Sequence, residues 1–87
     1  MQHELKCDPI PYQLVLNKEK TFEIRFNDRM YQKGDEVIMR EYDRTSKFGM
    51  DTGYTGREVK FKIGFVTTFA QDKDWCVFSI VNLEVLK

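Results

Sequence analysis

The groups best suited to chemistry in this 87-residue chain lie between Lys20 and Arg29. Thr21-Phe22-Glu23-Ile24-Arg25 alternates polar and apolar residues without a break. Period two is the pattern of a half-buried strand. It puts Phe22 and Ile24 on one face and Thr21, Glu23 and Arg25 on the other. Neighbours on one face of a strand stand roughly 6.5–7 Å apart. A row of this kind reads either as a solvated sheet face or as one wall of a polar site. Two features favour the wall. Lys20 sits just before the strand, where its ammonium can swing over the row. Asn27, Asp28 and Arg29 follow directly after it. From Lys20 to Lys33 there are four bases against two acids, which suits a neutral polar ligand better than a bare phosphate chain. Glu23 can accept from an amino group, as carboxylates do from a cytosine edge. Arg25 offers a planar fork to a carbonyl or phosphate oxygen. Lys20 can supply a point charge or, with its pKa lowered by burial, a general base.

Other chemistries have less support. His3 is the single histidine. With Cys7 it makes two ligands where a metal site normally needs three or four, so no metal is expected and His3 reads as a structural or pocket-edge residue. Ser79 and the threonines have no histidine at motif spacing. No Walker or Rossmann glycine pattern occurs, and no cofactor is implied. Tyr54-Thr55-Gly56-Arg57 reads as a loop. It is either a plain hairpin turn or a lid in which Tyr54 stacks on a base and Arg57 reaches a phosphate. Trp75 fits the core or its rim better than a stacking platform.

The elements that must position these groups follow from the rest of the chain. His3 to Lys6 suits a short strand. Asp8 before Pro9, with Pro11 following, marks a helix start. Tyr12, Val15 and Leu16 recur at helical spacing, so a helix is expected from about Pro11 to Leu16, with Asn17 ending it. Val37 to Tyr42 reads as a strand with apolar residues on both faces. Arg44 to Gly56 reads as loop. Glu58 to Phe69 reads as a long strand with Val59, Phe61, Ile63, Phe65 and Phe69 on one face, and Gly64 is its natural bend. Trp75 to Leu86 is a last strand, apolar on both sides, as in a central or barrel strand. One short helix and about five strands favour a small, highly curved, mostly β barrel in a single domain over residues 1–87.

Bulk composition sets outer bounds. Apolar residues are 41% of the chain and aromatics 14%, enough for a compact core despite 32% charged residues. Fourteen basic residues balance fourteen acidic ones. No global field therefore draws in polyanions, and any grip on nucleic acid must be local. Cys7 and Cys76 do not make a disulfide framework. The N-terminal stretch has no apolar run, and nothing approaches the ~20 apolar residues of a membrane span. A reduced, cytoplasmic protein away from membranes is expected.

Several segments in order carry a family resemblance: His3-Glu4-Leu5-Lys6, Lys20-Thr21-Phe22-Glu23-Ile24-Arg25, Asn27-Asp28-Arg29, Gly34-Asp35, Arg40-Glu41-Tyr42-Asp43 and Tyr54-Thr55-Gly56-Arg57. Together they resemble small ASCH-like proteins of bacteria and phages, of uncharacterised function, in the PUA-like superfamily. The superfamily's G-x-K-x-x-E-x-R stretch reads here from Lys18 to Arg25. Lys20, Glu23 and Arg25 match, and Lys18 replaces the leading Gly, a change that Asn17 would accommodate by taking the strained backbone position. The resemblance implies a β-barrel with a cleft holding the motif side chains. It also implies binding of RNA, or of a nucleotide or modified nucleobase, through His3, Lys6, Lys20, Glu23, Arg25, Asn27, Arg29, Tyr54 and Arg57. A bacterial amidohydrolase of this fold deacetylates N-acetylcytidine with a Lys at the position matching Lys20. Its Thr is replaced here by Glu23, and Glu58 is one candidate for its later Glu. The alternatives are thus a small hydrolase using Lys20 and Glu23, or a protein-interaction module. Oligomeric state is left open.

Overall fold

The computed structural model describes residues 1–45 and 53–87. Six elements follow in chain order: β1 (Gln2–Cys7), α1 (Pro9–Leu16), β2 (Phe22–Phe26), β3 (Glu36–Tyr42), β4 (Tyr54–Thr67) and β5 (Trp75–Val85). The strands form one sheet in the order β1-β3-β4-β5-β2. The β1–β3 pair is parallel and the other neighbours are antiparallel. The sheet curls until its two end strands come within one side chain's reach. Arg25 on β2 donates from Nη2 to the Lys6 carbonyl of β1 at 2.9 Å. The mostly β, barrel-like architecture expected from the sequence is therefore the one found.

Alternation along each strand builds the interior. Leu5 and Cys7 of β1, Val37 and Met39 of β3, Val59, Phe61 and Ile63 of β4, and Cys76 and Phe78 of β5 all point inward and are buried. Tyr12 and Val15 of α1 are each 1% exposed. Burying a side chain of this size fully is worth about 1.5–3 kcal/mol. Both cysteines are free and lie inside.

Helix α1 begins two residues earlier than expected. Pro9 occupies the first turn, where a missing N–H costs nothing. Asp8 is extended, but its carboxylate makes no cap hydrogen bond and instead pairs with Arg44 at 3.1 Å. The far end is a Schellman motif: Lys18 N–H donates to the Val15 carbonyl at 3.0 Å and Glu19 N–H to that of Leu14 at 2.9 Å. The left-handed residue is Lys18, with φ +63°, while Asn17 stays right-handed at φ −79°. The strain expected of Asn17 thus falls on the residue that replaces the motif's glycine.

Three bulges bend the long strands. In β4, Thr55-Gly56-Arg57 stands opposite the single residue Glu41, with Gly56 at φ +94°. The segment read as a loop or lid is therefore the bulged start of a strand. A second bulge sets Gly64 and Phe65 against Ser79. It reverses the alternation, so Phe65 is 65% exposed and the partly buried Val66 packs on the core instead. Phe69 lies beyond the strand and is 85% exposed. The shared apolar face expected for Val59 to Phe69 ends at Ile63 for this reason. A third bulge, in β5, uses Asn82 at φ +57°, a conformation that Asn tolerates.

Candidate functional site

Helix, cap and edge strand together deliver the site. After the Schellman turn, Lys20 N–H donates to the Leu14 carbonyl at 3.0 Å, which fixes where that side chain departs. Strand β2 pairs with β5 on one side, Glu23 opposite Phe78 and Arg25 opposite Cys76. Phe78 and Cys76 are interior residues, so Glu23 and Arg25 share the interior face. The polar row is thus the inward one: Glu23 is 3% exposed, whereas Phe22 and Ile24 are 42% and 50% exposed. This reverses the ordinary orientation of an alternating strand.

A buried carboxylate is tolerated only when paired and hydrogen-bonded. Both Glu23 oxygens meet that demand. Lys20 Nζ donates to Oε1 at 2.8 Å and Arg25 Nε to Oε2 at 3.1 Å. Arg25 also holds the Lys6 carbonyl, and Arg29 Nη1 donates to the Glu4 carbonyl at 2.8 Å. A cleft of about 680 Å³ opens over this arrangement, lined among others by Lys6, Cys7, Lys20, Glu23, Arg25 and Arg29. Tyr31, Tyr42 and Trp75 also border it. Its size lies within the range of small-molecule sites, and it mixes apolar walls with a few convergent polar groups.

The thiol of Cys7 in the cleft wall is pushed up to about 11, first by burial and then by the negative charge of Glu23. It is therefore a neutral thiol at physiological pH and a poor nucleophile. Among the described residues no three His, Cys, Asp or Glu side chains gather as a metal-ligand group.

The cleft continues into a second groove of about 390 Å³, lined by Glu4, Leu5, Lys6, Arg25, Arg29, Arg40 and Tyr54. Aromatic rings and cations pair where cleft and groove meet, with Tyr42 on the cleft side and Tyr54 on the groove side. Lys6 Nζ lies 4.7 Å from the Tyr42 ring centre, and the Arg40 guanidinium carbon 3.8 Å from that of Tyr54. The two tyrosines meet edge to face at 5.0 Å.

Of the residues singled out in the sequence, Lys6, Lys20, Glu23, Arg25 and Arg29 come together at the cleft, and Tyr54 at the adjoining groove. Three stand elsewhere. His3 is buried with Nε2 2.8 Å from Asp35 Oδ2. Asn27 uses its side-chain oxygen to accept the Tyr31 N–H at 3.2 Å. Arg57 reaches Glu41 at 3.5 Å and Gln13 at 3.1 Å, over the ring of Tyr12. Thr21 precedes β2, is exposed, and its carbonyl accepts the Ile80 N–H at 2.8 Å. Trp75 is a rim residue, 40% exposed, with its ring edge-on to Phe26 at 5.9 Å. Sequence reasoning missed Arg40, Tyr42 and the Cys7 wall. Their signal was the strand alternation of β1 and β3, but assigning it needed the parallel pairing of those two strands, which joins segments more than thirty residues apart.

No helix of the described residues is long and apolar enough to cross a membrane. A protein of Escherichia phage P2, described as "Uncharacterized 12.9 kDa protein in GpA 3'region", is 34% identical to this chain over 73 residues, 84% of this chain and 58% of that protein. The chain thus spans less than two thirds of that relative's length. Residues 2–80 match the family described as "Domain of unknown function (DUF3850)", and the chain belongs to that family.

Proposed function

We propose that this DUF3850 chain is an ASCH-type, PUA-like binding module that takes a nucleobase, as a nucleoside, nucleotide or RNA residue, into the cleft over Glu23. The observation that carries the reading is the buried Glu23 carboxylate clamped by Lys20 and Arg25 at the base of the cleft. These are the three side chains that match the superfamily motif. Each carboxylate oxygen has two acceptor positions, so one bond apiece to Lys20 and Arg25 leaves room for an exocyclic amino group. The two cations fix Glu23 in place, and binding then costs little side-chain ordering. Arg25, with one N–H on Glu23 and another on the Lys6 carbonyl, keeps donors for a base carbonyl. The rings of Tyr31, Tyr42 and Trp75 supply apolar border for a planar ligand. A cytoplasmic setting accords with free, buried cysteines.

Calorimetric titration with the four ribonucleosides and an N-acylated cytidine tests the reading. Glu23→Gln keeps the shape of the side chain and removes its charge, and Lys20→Met removes one clamp. Each is expected to weaken binding about tenfold, the loss of one charge-assisted hydrogen bond, with circular dichroism confirming the fold. Unchanged affinity in both folded variants would remove the cleft from consideration. The 2.8 Å Lys20–Glu23 contact also supports a second reading, an acyl-nucleoside hydrolase in which Lys20 activates and Glu23 directs water. Free acid released from the acylated cytidine in the same titration would favour it, and its absence at high protein concentration would end it.

A further inference from the structure

The groove beside the cleft extends the proposed site toward a longer ligand. The chain carries no net charge, yet this groove gathers Lys6, Arg25, Arg29 and Arg40 against the single carboxylate of Glu4 among its lining residues. Leu5, Lys6, Arg25 and Arg29 line both spaces, so cleft and groove are one continuous surface along β1. Arg25 is committed to Glu23. Arg29 spends one of its five N–H donors on the Glu4 carbonyl and has the exposed Asp28 carboxylate 4.0 Å from Nε, and its side chain is 47% exposed. Arg40 lies over the Tyr54 ring, with Glu4 at 3.7 Å and Glu58 at 3.4 Å. Lys6 and Arg40 flank a pair of touching tyrosine rings, Tyr42 at the cleft and Tyr54 in the groove, with Arg29 also lining both spaces, so cations and rings stand together as phosphates and bases do along a single nucleic-acid strand. Stacking platforms joined to a cationic track are the usual means of holding such strands.

We infer that the groove of Lys6, Arg29, Arg40 and Tyr54 holds the phosphates and a neighbouring base of a single-stranded polynucleotide whose reading base enters the cleft. The natural ligand is then a strand and not a free nucleoside. This rests on the cleft reading for the base, while the groove makes a separate, salt-dependent contribution.

Fluorescence anisotropy with a labelled single-stranded RNA about eight nucleotides long provides the test. Three phosphate contacts predict a log–log salt slope of about −2, or about twentyfold weaker binding between about 50 and 200 mM salt. Arg40→Gln should flatten that slope by about 0.7 while leaving nucleoside titration of the cleft unchanged, because Arg40 does not line it. Glu4→Gln should tighten strand binding, a gain that misfolding cannot produce. Nucleosides that bind as tightly as the strand, or a slope that Arg40→Gln does not alter, would overturn the groove and leave the cleft reading intact. Strand binding with the expected slopes but without any nucleoside binding would uphold the groove and count against the cleft.

Discussion

At the scale of single residues, the site depends on where one left-handed residue falls. Lys18 takes φ +63° so that the chain can leave α1 and bring Lys20 over Glu23. A side chain with a Cβ pays about 1–2 kcal/mol for that conformation, and glycine does not. Lys18→Gly should therefore raise stability by about 1 kcal/mol once the entropy that glycine loses on folding is set against the relief. In a domain of this size that is about 4–8 °C in Tm, read by thermal denaturation, with affinity at the cleft preserved. A variant that melts lower than the parent would mean that the cap does not form as described. The alternation of Thr21 to Arg25 was legible in the sequence, and so was the company of Lys20, Glu23 and Arg25. Which face turned inward was not. That depends on the cations meeting both oxygens of Glu23, because an unpaired carboxylate at 3% exposure would cost several kcal/mol.

Elements were more legible where their period ran unbroken, as in β1, α1, β2 and β3, whose alternation or helical spacing marks their existence. β4 was harder, because bulges interrupt its period at both ends. Thr55-Gly56-Arg57 reads as a turn from composition, yet tertiary pairing wraps it around Glu41, with Thr55 Oγ1 donating to that carboxylate at 2.7 Å. Counting twos past Gly64 puts Phe65 on the same face as Val59, Phe61 and Ile63, and one extra residue sends it outward. The β3–β4 connection returns to the sheet at Gly53, whose N-terminal approach is equally specific. Gly53 has φ +90°, and a Cβ there would stand 2.6 Å from the Asp43 backbone carbonyl oxygen. The Asp43 N–H donates to the Gly53 carbonyl at 2.8 Å, closing the pair. Strain and clash act together, so Gly53→Ala should destabilise by about 2–3 kcal/mol, measured by urea denaturation. A loss below about 0.5 kcal/mol, the usual range for neutral surface changes, would show that the two strand ends are not held this closely. Tyr54 follows directly, so the same variant should also weaken the groove.

Across the whole molecule, the parallel β1–β3 pair is the part least visible in the sequence and the one on which the site is built. It has no hairpin to announce it, because parallel neighbours need a crossover. Its register sets His3 opposite Val37, close to Asp35 at the entry to β3. His3 Nε2 lies 2.8 Å from Asp35 Oδ2, and the imidazole packs edge-on to Tyr31 at 4.8 Å. The His3 hydrogen bond is the leading reason that the Asp35 carboxyl is held below its ordinary value; the Gln32 N–H adds to it, against the opposing effect of burial. A depressed native value means that the unfolded chain binds the proton more readily. Stability from this contact is then complete above the unfolded pKa of about 3.9 and is lost as pH falls through the lower, native value. Asp35→Asn cannot titrate, so it should be less stable than the parent at neutral pH and should lose less on acidification. Urea midpoints from about pH 6 down to pH 2.5 would display this as two curves that converge in acid. Asp43 is also held low, by the Thr45 hydroxyl and amide, so part of the acid limb should persist in the variant. Parallel curves, with the parent and Asp35→Asn losing stability equally, would place the acid sensitivity elsewhere and remove the His3–Asp35 contact as the fastening of β1. That strand carries the Lys6 and Glu4 carbonyls gripped by Arg25 and Arg29. Ligand affinity at the cleft should therefore decline over the same pH interval as β1 loosens.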